Sequence, residues 1–461
     1  MVLFLPFSGH ALTSQTTRNA IQGSAPYLTF DGGRTRAVDA NGLLGITLSN
    51  GANYTPSTNL SSTTPIVLPV AGQSFADIRM FVPTNTNSVE LSTLIGPPNN
   101  YWGDDDGDSG VSATGRLSLS IVDKNNQSVS RNSVLTICNA PYRIKLSSTD
   151  GTLSTRYGFP NRSTFSASNV TYYVNPKASP VVCFARPNLS YGKLGADRDN
   201  PSFDFAGPSS MWEPANGFIP QPTGPSSYGQ NFPTTGVNRL YFDLEIGGGG
   251  SLSWSPVSHG GITATMTNSP VTTGVRVTLT GPYATYSQQR SATPGSIPTP
   301  SLPQTFELVG RDTNGTPVVK YGFTLKQWFV HRGYTGRNNV RWREENDYYS
   351  PSLSWCNSLG YRMPKVKDLT NAVRRGDDPI SGATPPSSDN HYMRHIGAGF
   401  FTEWGNIPNY SLVVDSYQYY YWTSDTVSYN PNGWNFTVRA DNGFVGWHGI
   451  ALPNLTLCVY P

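Results

Sequence analysis

The sequence predicts a mostly β protein of tandem β-sandwich domains followed by a smaller α+β module. Three observations carry this. Only 13% of the 461 residues are charged while 12% are aromatic, and Gly (46) and Pro (37) are abundant. That composition excludes wholesale disorder, helical bundles and coiled coils. Short apolar stretches recur between Gly, Pro, Asn and Ser punctuation, the pattern of antiparallel strands and turns. The last 125 or so residues change character, with two helical patterns and then aromatic strands. No run of about 18 apolar residues is present to span a membrane as a helix.

Residues 1–25 open the chain as a signal-peptide remnant or N-terminal arm. Val2 to Phe7 is a short apolar run followed by the small residues Ser8, Gly9 and Ala11, but it lacks a basic leader. A buried N-terminal strand is the alternative. Residues 26–200 form the first sandwich. In Arg116–Val122, Leu117, Leu119 and Ile121 alternate with Ser118 and Ser120, as a half-buried strand requires. Val134–Cys138 and Pro180–Phe184 read as strands carrying one cysteine each. Residues 201–333 form a second sandwich behind a long irregular connection (187–236) that drapes over a neighbour. Its strands are 240–246, a hairpin of 261–267 with 274–280, and 306–309 with 317–325. The turn Asp312-Thr313-Asn314-Gly315 joins the last two. Gly247 to Gly250 lacks the Gly-Lys-Ser/Thr ending of a phosphate loop.

Residues 334–461 form the terminal module. Ser350–Gly360 has a first-turn Pro and a Gly stop and so reads as a helix. Pro364–Arg375 reads as a second helix, with Val366, Leu369 and Val373 on one face. The strands 419–425, 434–438, 444–447 and 455–460 follow. Four cysteines occur, Cys138, Cys183, Cys356 and Cys458, with no CxxC pair. An even, widely spaced set in a β-rich chain reads as two disulfides in an oxidising compartment, or else as four buried thiols. The 45-residue separation of Cys138 and Cys183 suits a bridge within one sandwich.

The terminal module resembles the C-type lectin-like fold. The matching residues are Trp355-Cys356, Leu359 to Pro364, Tyr421 to Ser424, Trp434-Asn435-Phe436 and Leu457-Cys458-Val459. The resemblance implies a disulfide between Cys356 and Cys458, from the first helix to the last strand. Asn231 to Gly236, Gly260 to Met266 and Val275 to Pro282 are similar to the Ig-like repeats of enterobacterial intimin- and invasin-type adhesins. The resemblance to that group implies a non-catalytic, virulence-associated, bacterial surface or secreted adhesin with two sandwiches as a stalk. Its lectin-like tip would bind a host cell-surface protein or glycan, and an outer-membrane barrel would serve as exporter. A phage or retroelement-linked receptor-binding protein is the alternative. The net charge of +3 gives no basis for a nucleic-acid binder.

Candidate receptor-binding residues are Trp404, Tyr419, Trp447 and His448, because exposed aromatic rings dominate binding hot spots. Trp422 and Trp434 read as core. Lectin-type calcium sites need carboxylates that this module lacks: Phe436 follows the Trp-Asn step, and Ile407 precedes Pro408-Asn409. Asp104, Asp106 and Asp108 have the spacing of a calcium loop or of a solvated acidic turn. No other cofactor is expected. Gly107–Gly110 resembles a serine-protease nucleophile motif without a suitable His base. His391 and His395 have zincin spacing, but Tyr392 stands where the general-base Glu belongs. Arg332, Arg337, Arg341 and Arg343 form a basic stretch, read as an anion-binding surface or a solvated loop.

Overall fold

The computed structural model describes residues 23–221, 224–248, 250–333, 348–410 and 420–461. It divides into two compact units, 1–178 and 179–461. The chain is mostly β, arranged in several sheets.

The first unit is built on β1 (Ile66–Val67), β2 (Ser88–Glu90), β3 (Val111–Ala113), β4 (Arg116–Val122), β5 (Tyr142–Ser148), β6 (Gly151–Thr155), β7 (Arg162–Phe165) and β8 (Ser168–Asn175). They make a five-stranded sheet, β1-β8-β5-β4-β2, and a three-stranded sheet, β7-β6-β3. Only the β1–β8 pairing is parallel among these. β4 buries Leu117, Leu119 and Ile121 and turns Ser118 and Ser120 outward, as its alternation requires. They join a largely aliphatic core with Leu43, Ile46, Ile95, Ile144 and Leu146.

The second unit starts earlier than residue 201. Val181–Arg186 (β9) pairs antiparallel with β13 (Tyr241–Gly247), so this strand belongs to the second sandwich and the first domain ends short of 200. The irregular connection supplies a hairpin, β10 (Trp212–Glu213) and β11 (Gly217–Phe218), then β12 (Thr235–Val237). Next come β14 (Ser253–Trp254), β15 (Val257–His259), β16 (Ile262–Asn268), β17 (Val275–Thr280), β18 (Gln304–Arg311), β19 (Pro317–Leu325) and β20 (Gln327–His331). The large sheet runs β10-β11-β9-β13-β17-β16-β15, and the smaller one β14-β18-β19. The Asp312 turn forms as expected: Asp312 Oδ1 accepts the N–H groups of Asn314 and Thr316, both at 2.9 Å.

The terminal module begins with β20, not at 334. β20 lies between β12 and the last strand of the chain, β24 (Leu457–Tyr460). Helix α1 (Tyr349–Leu359) ends at Gly360, whose φ of +83° supplies the left-handed stop. The second helix is one turn, α2 (Val366–Leu369), rather than the expected 364–375. Thr370 is extended, and the buried Asn371 side chain bonds the carbonyls of Pro385 and Met393, which draws the chain out of helix. Val373–Arg374 is then a short strand. α3 (Phe400–Trp404) precedes a three-stranded sheet of β21 (Tyr420–Thr426), β22 (Trp434–Arg439) and β23 (Val445–Gly449).

Two further expectations are corrected. Val134–Cys138 is not a strand: Val134 is largely exposed and Ile137–Asn139 is a 3-10 turn. Cys138 and Cys183 are each disulfide-bonded, but they do not share a sandwich, since Cys183 lies on β9. The second sandwich and the terminal module also share one aromatic-rich core, which runs from Phe242, Phe306 and Phe323 to Trp355, Phe400 and Tyr421. The terminal module is therefore fused to the sandwich, not a separate head on a stalk.

Candidate functional site

One end of the β21-β22-β23 sheet gathers partly exposed rings. Trp434 faces Gly449 across the β22–β23 ladder, and Phe436 faces Trp447. These four positions share one face, because alternate strand residues point the same way. Phe436, Val438 and Val445 fill its buried part. Trp434 and Trp447 sit at its margin, half-buried, edge to face with centroids 4.9 Å apart. That geometry fixes both rings. The Arg374 guanidinium lies 5.6 Å from the Trp447 ring centre. Ile450 N–H to Gly433 O (3.0 Å) ties the segment after β23 to the turn after β21, which Trp434 N–H to Asn430 O (3.1 Å) closes. They bring exposed Tyr429 (62%) and Leu452 (52%) to the same end. On the opposite face, His448 packs edge-on to Tyr420 at 4.9 Å, and its Nδ1 lies 2.8 Å from Asn454 Oδ1.

Trp404 does not belong to this surface. It is fully buried, and its indole N–H donates to Thr235 O at 3.1 Å. The residue ends α3 and packs against β12 instead of lying exposed. Tyr419 lies outside the described residues, as do Arg337, Arg341 and Arg343. Trp422 is core as expected, and Trp434 is only partly so.

The acidic turn holds no cation cage, and among the described residues no group of three or more metal-ligating side chains could hold an ion. Asp104 Oδ1 accepts the Asp106 N–H at 2.8 Å, Asp105 pairs with Arg36, and Asp106 accepts the Ser24 N–H. Asp104, Asp105 and Asp106 thus each have one local partner, and Asp104, Asp106 and Asp108 do not gather as the ligands of the expected calcium loop. His391 and His395 lie off any helix. His391 stacks on Phe203 at 4.3 Å, and its Nε2 is 3.0 Å from Asp204 O.

Sequence reasoning missed the groups that hold this site's scaffold. Glu403 is fully buried and accepts from the N–H and hydroxyl groups of Thr234 and Thr235 and from Gly397 N–H, at 2.6–3.1 Å. Burial pushes its carboxyl pKa up, against the pull of those donors. Arg394, also fully buried, donates to the carbonyls of Tyr191, Ser190, Asn188 and Glu403, and lies 4.7 Å from the Trp212 ring centre. Arg332 is buried as well, donating to Gln289 O with its guanidinium 5.1 Å from the Trp355 ring. It is thus a structural clasp and no part of an anion-binding surface. A lone charge inside Phe400-Phe401-Thr402-Glu403-Trp404 was the one sequence signal of such burial. Cys356 and Cys458 are bridged with Cα atoms 5.4 Å apart, joining α1 to β24.

No family model and no curated protein matches this chain. Two solved structures resemble it loosely. One is an intimin mutant of EHEC O157:H7, 15% identical, covering 50% of this chain and 88% of that one with a TM-score of 0.26. The other is a chain of the intimin-Tir90 complex, 14% identical with the same coverage and a TM-score of 0.24.

Proposed function

We propose that this chain is the binding portion of a bacterial surface or secreted adhesin. It engages a host cell-surface protein or glycan, without catalysis, through the aromatic end of its terminal module. The observation that carries this reading is the Trp434–Trp447 pair beside exposed Tyr429 and Leu452. Rings held rigid before contact lose little entropy on binding. The sequence motifs quoted above, the α1–β24 disulfide and the pairing of β20 with β24 support reading the module as C-type lectin-like. Disulfides suit an extracellular location.

The test is binding of the full chain to cultured epithelial cells. Trp447→Ala should weaken binding by at least about tenfold. The double variant Tyr429→Ser/Leu452→Ser changes only exposed side chains and should also weaken it. Full-strength binding by both folded variants would overturn the reading.

A further inference from the structure

One end of the second sandwich is hollowed. There the end of β13, the end of β16 and the start of β17 meet the segment leading into β14 around a cavity of about 380 Å³. Ligand pockets for small molecules span roughly 300–1,000 Å³. Its apolar wall is Ile246, Leu252, Trp254 and Val275. Trp254 is half-buried, and its indole N–H is buried with no acceptor within the protein. A buried donor left unpaired is a standing cost that an incoming acceptor removes.

The rim is polar but uncharged, and no charged side chain lines the cavity. Its hydroxyls are set in complementary roles. Ser269 Oγ accepts the N–H groups of Val271 (3.2 Å) and Thr272 (3.0 Å), and Thr272 Oγ1 accepts that of Gly274 (3.2 Å). Ser269 Oγ is thereby filled as an acceptor while its proton stays available to donate, and Thr272 Oγ1 keeps its proton and one lone pair. Thr273 does the reverse: its hydroxyl donates to Ile246 O at 3.2 Å and keeps its lone pairs for an incoming donor. Asn268 and Ser251, exposed at the mouth, add one amide and one further hydroxyl.

We infer that this cavity binds a neutral saccharide. A pyranose presents C–H faces suited to an aromatic and aliphatic wall, and a rim of hydroxyls that both donate and accept. An anionic ligand would find no cation here, and a purely apolar one would leave the rim unpaired.

The test is saturation-transfer NMR on the full chain with methyl β-galactoside, methyl α-glucoside and methyl α-mannoside, and N-acetylneuraminic acid as the anionic control. At least one neutral glycoside should receive saturation, strongest at its ring C–H protons. Trp254→Phe keeps a ring in the wall but removes the donor, and Asn268→Ala alters only the mouth. Each should weaken the titrated affinity several-fold, while Tyr429→Ser/Leu452→Ser should leave it unchanged. The inference fails if no neutral glycoside gives a signal, if the signal survives both pocket variants at full affinity, or if the anionic sugar binds equally well.

Discussion

Both units bury the inner faces of β-sheets, but they do so with different side chains. The first relies on aliphatic packing around Leu117, Ile144 and Leu146, and its buried ions reach over shorter stretches of chain. Asp123 accepts N–H groups of its own turn, and Arg131 donates to the carbonyls of Val82 and Pro83. The second packs rings against rings and threads buried ions between distant segments. Glu403 reaches Thr234, 169 positions away, and Arg394 reaches Tyr191, 203 positions away. An aliphatic core tolerates many arrangements of similar volume. A buried ion with four or five fixed partners permits few. We conclude that the ionic clasps set the seating of the irregular connection and β12 against the terminal module, and so the frame that carries the aromatic end.

The largest expected effect breaks that clasp. Arg394→Ala should destabilise the second unit by at least about 3 kcal/mol, because four carbonyls lose their donor and each unpaired buried group costs about 1–3 kcal/mol. Leu146→Ala should cost the first unit a comparable ~2–5 kcal/mol through its cavity. Magnitude therefore does not separate them, but location does. Hydrogen exchange at residues 188–191 should accelerate in the arginine variant and stay unchanged in the leucine variant. Equal protection in both would end the contrast.

Removing the α1–β24 bridge comes next. Cys356→Ser/Cys458→Ser should lower the second unit's stability by ~2–4 kcal/mol, since the bridge closes a long loop. In calorimetry the transition of the first unit should not move. A shift of that transition instead would show that the units do not respond separately.

Acid gives the smallest effect. Burial lowers the His331 pKa from 6.5 to about 4. Its Nδ1 accepts the Gly333 N–H at 2.8 Å, and its Nε2 meets the Tyr421 hydroxyl at 2.9 Å, so the neutral ring fits the site. Between pH 6.5 and about 4 the unfolded chain binds a proton that the folded chain refuses. Stability therefore falls as pH falls, by about 1.4 kcal/mol per pH unit for each such group. His391, also lowered by burial, adds to the trend. The described part of the first unit contains no histidine. Urea titrations at pH 7 and pH 5 should show the loss in the second unit, and His331→Gln should reduce it. An unchanged slope in that variant would remove His331 from the account.

Much of this architecture was legible because strand burial is written locally. The alternation in Arg116–Val122, the hairpin of β16 with β17 and the Gly360 stop depend on neighbours a few residues away. The one-turn α2 was not legible. Val366, Leu369 and Val373 have helical spacing, but the partners that claim Asn371 lie 14 and 22 residues downstream. Of the candidate site, Trp447 and His448 are half-buried on opposite faces of β23, as the alternation of strand residues dictates. Trp404 was misread, because its neighbouring glycines are a local cue and its burial is decided by Thr235.

The sequence by itself determined a β-rich chain, the ladder of each main hairpin and the helix that carries Cys356, because periodicity, turn chemistry and caps act over a few residues. Only the tertiary structure decided where the units divide, which aromatic rings stay at the surface and which charges go inside. Those outcomes rest on hydrogen bonds between positions as much as 245 residues apart, whose partners no short window of sequence contains.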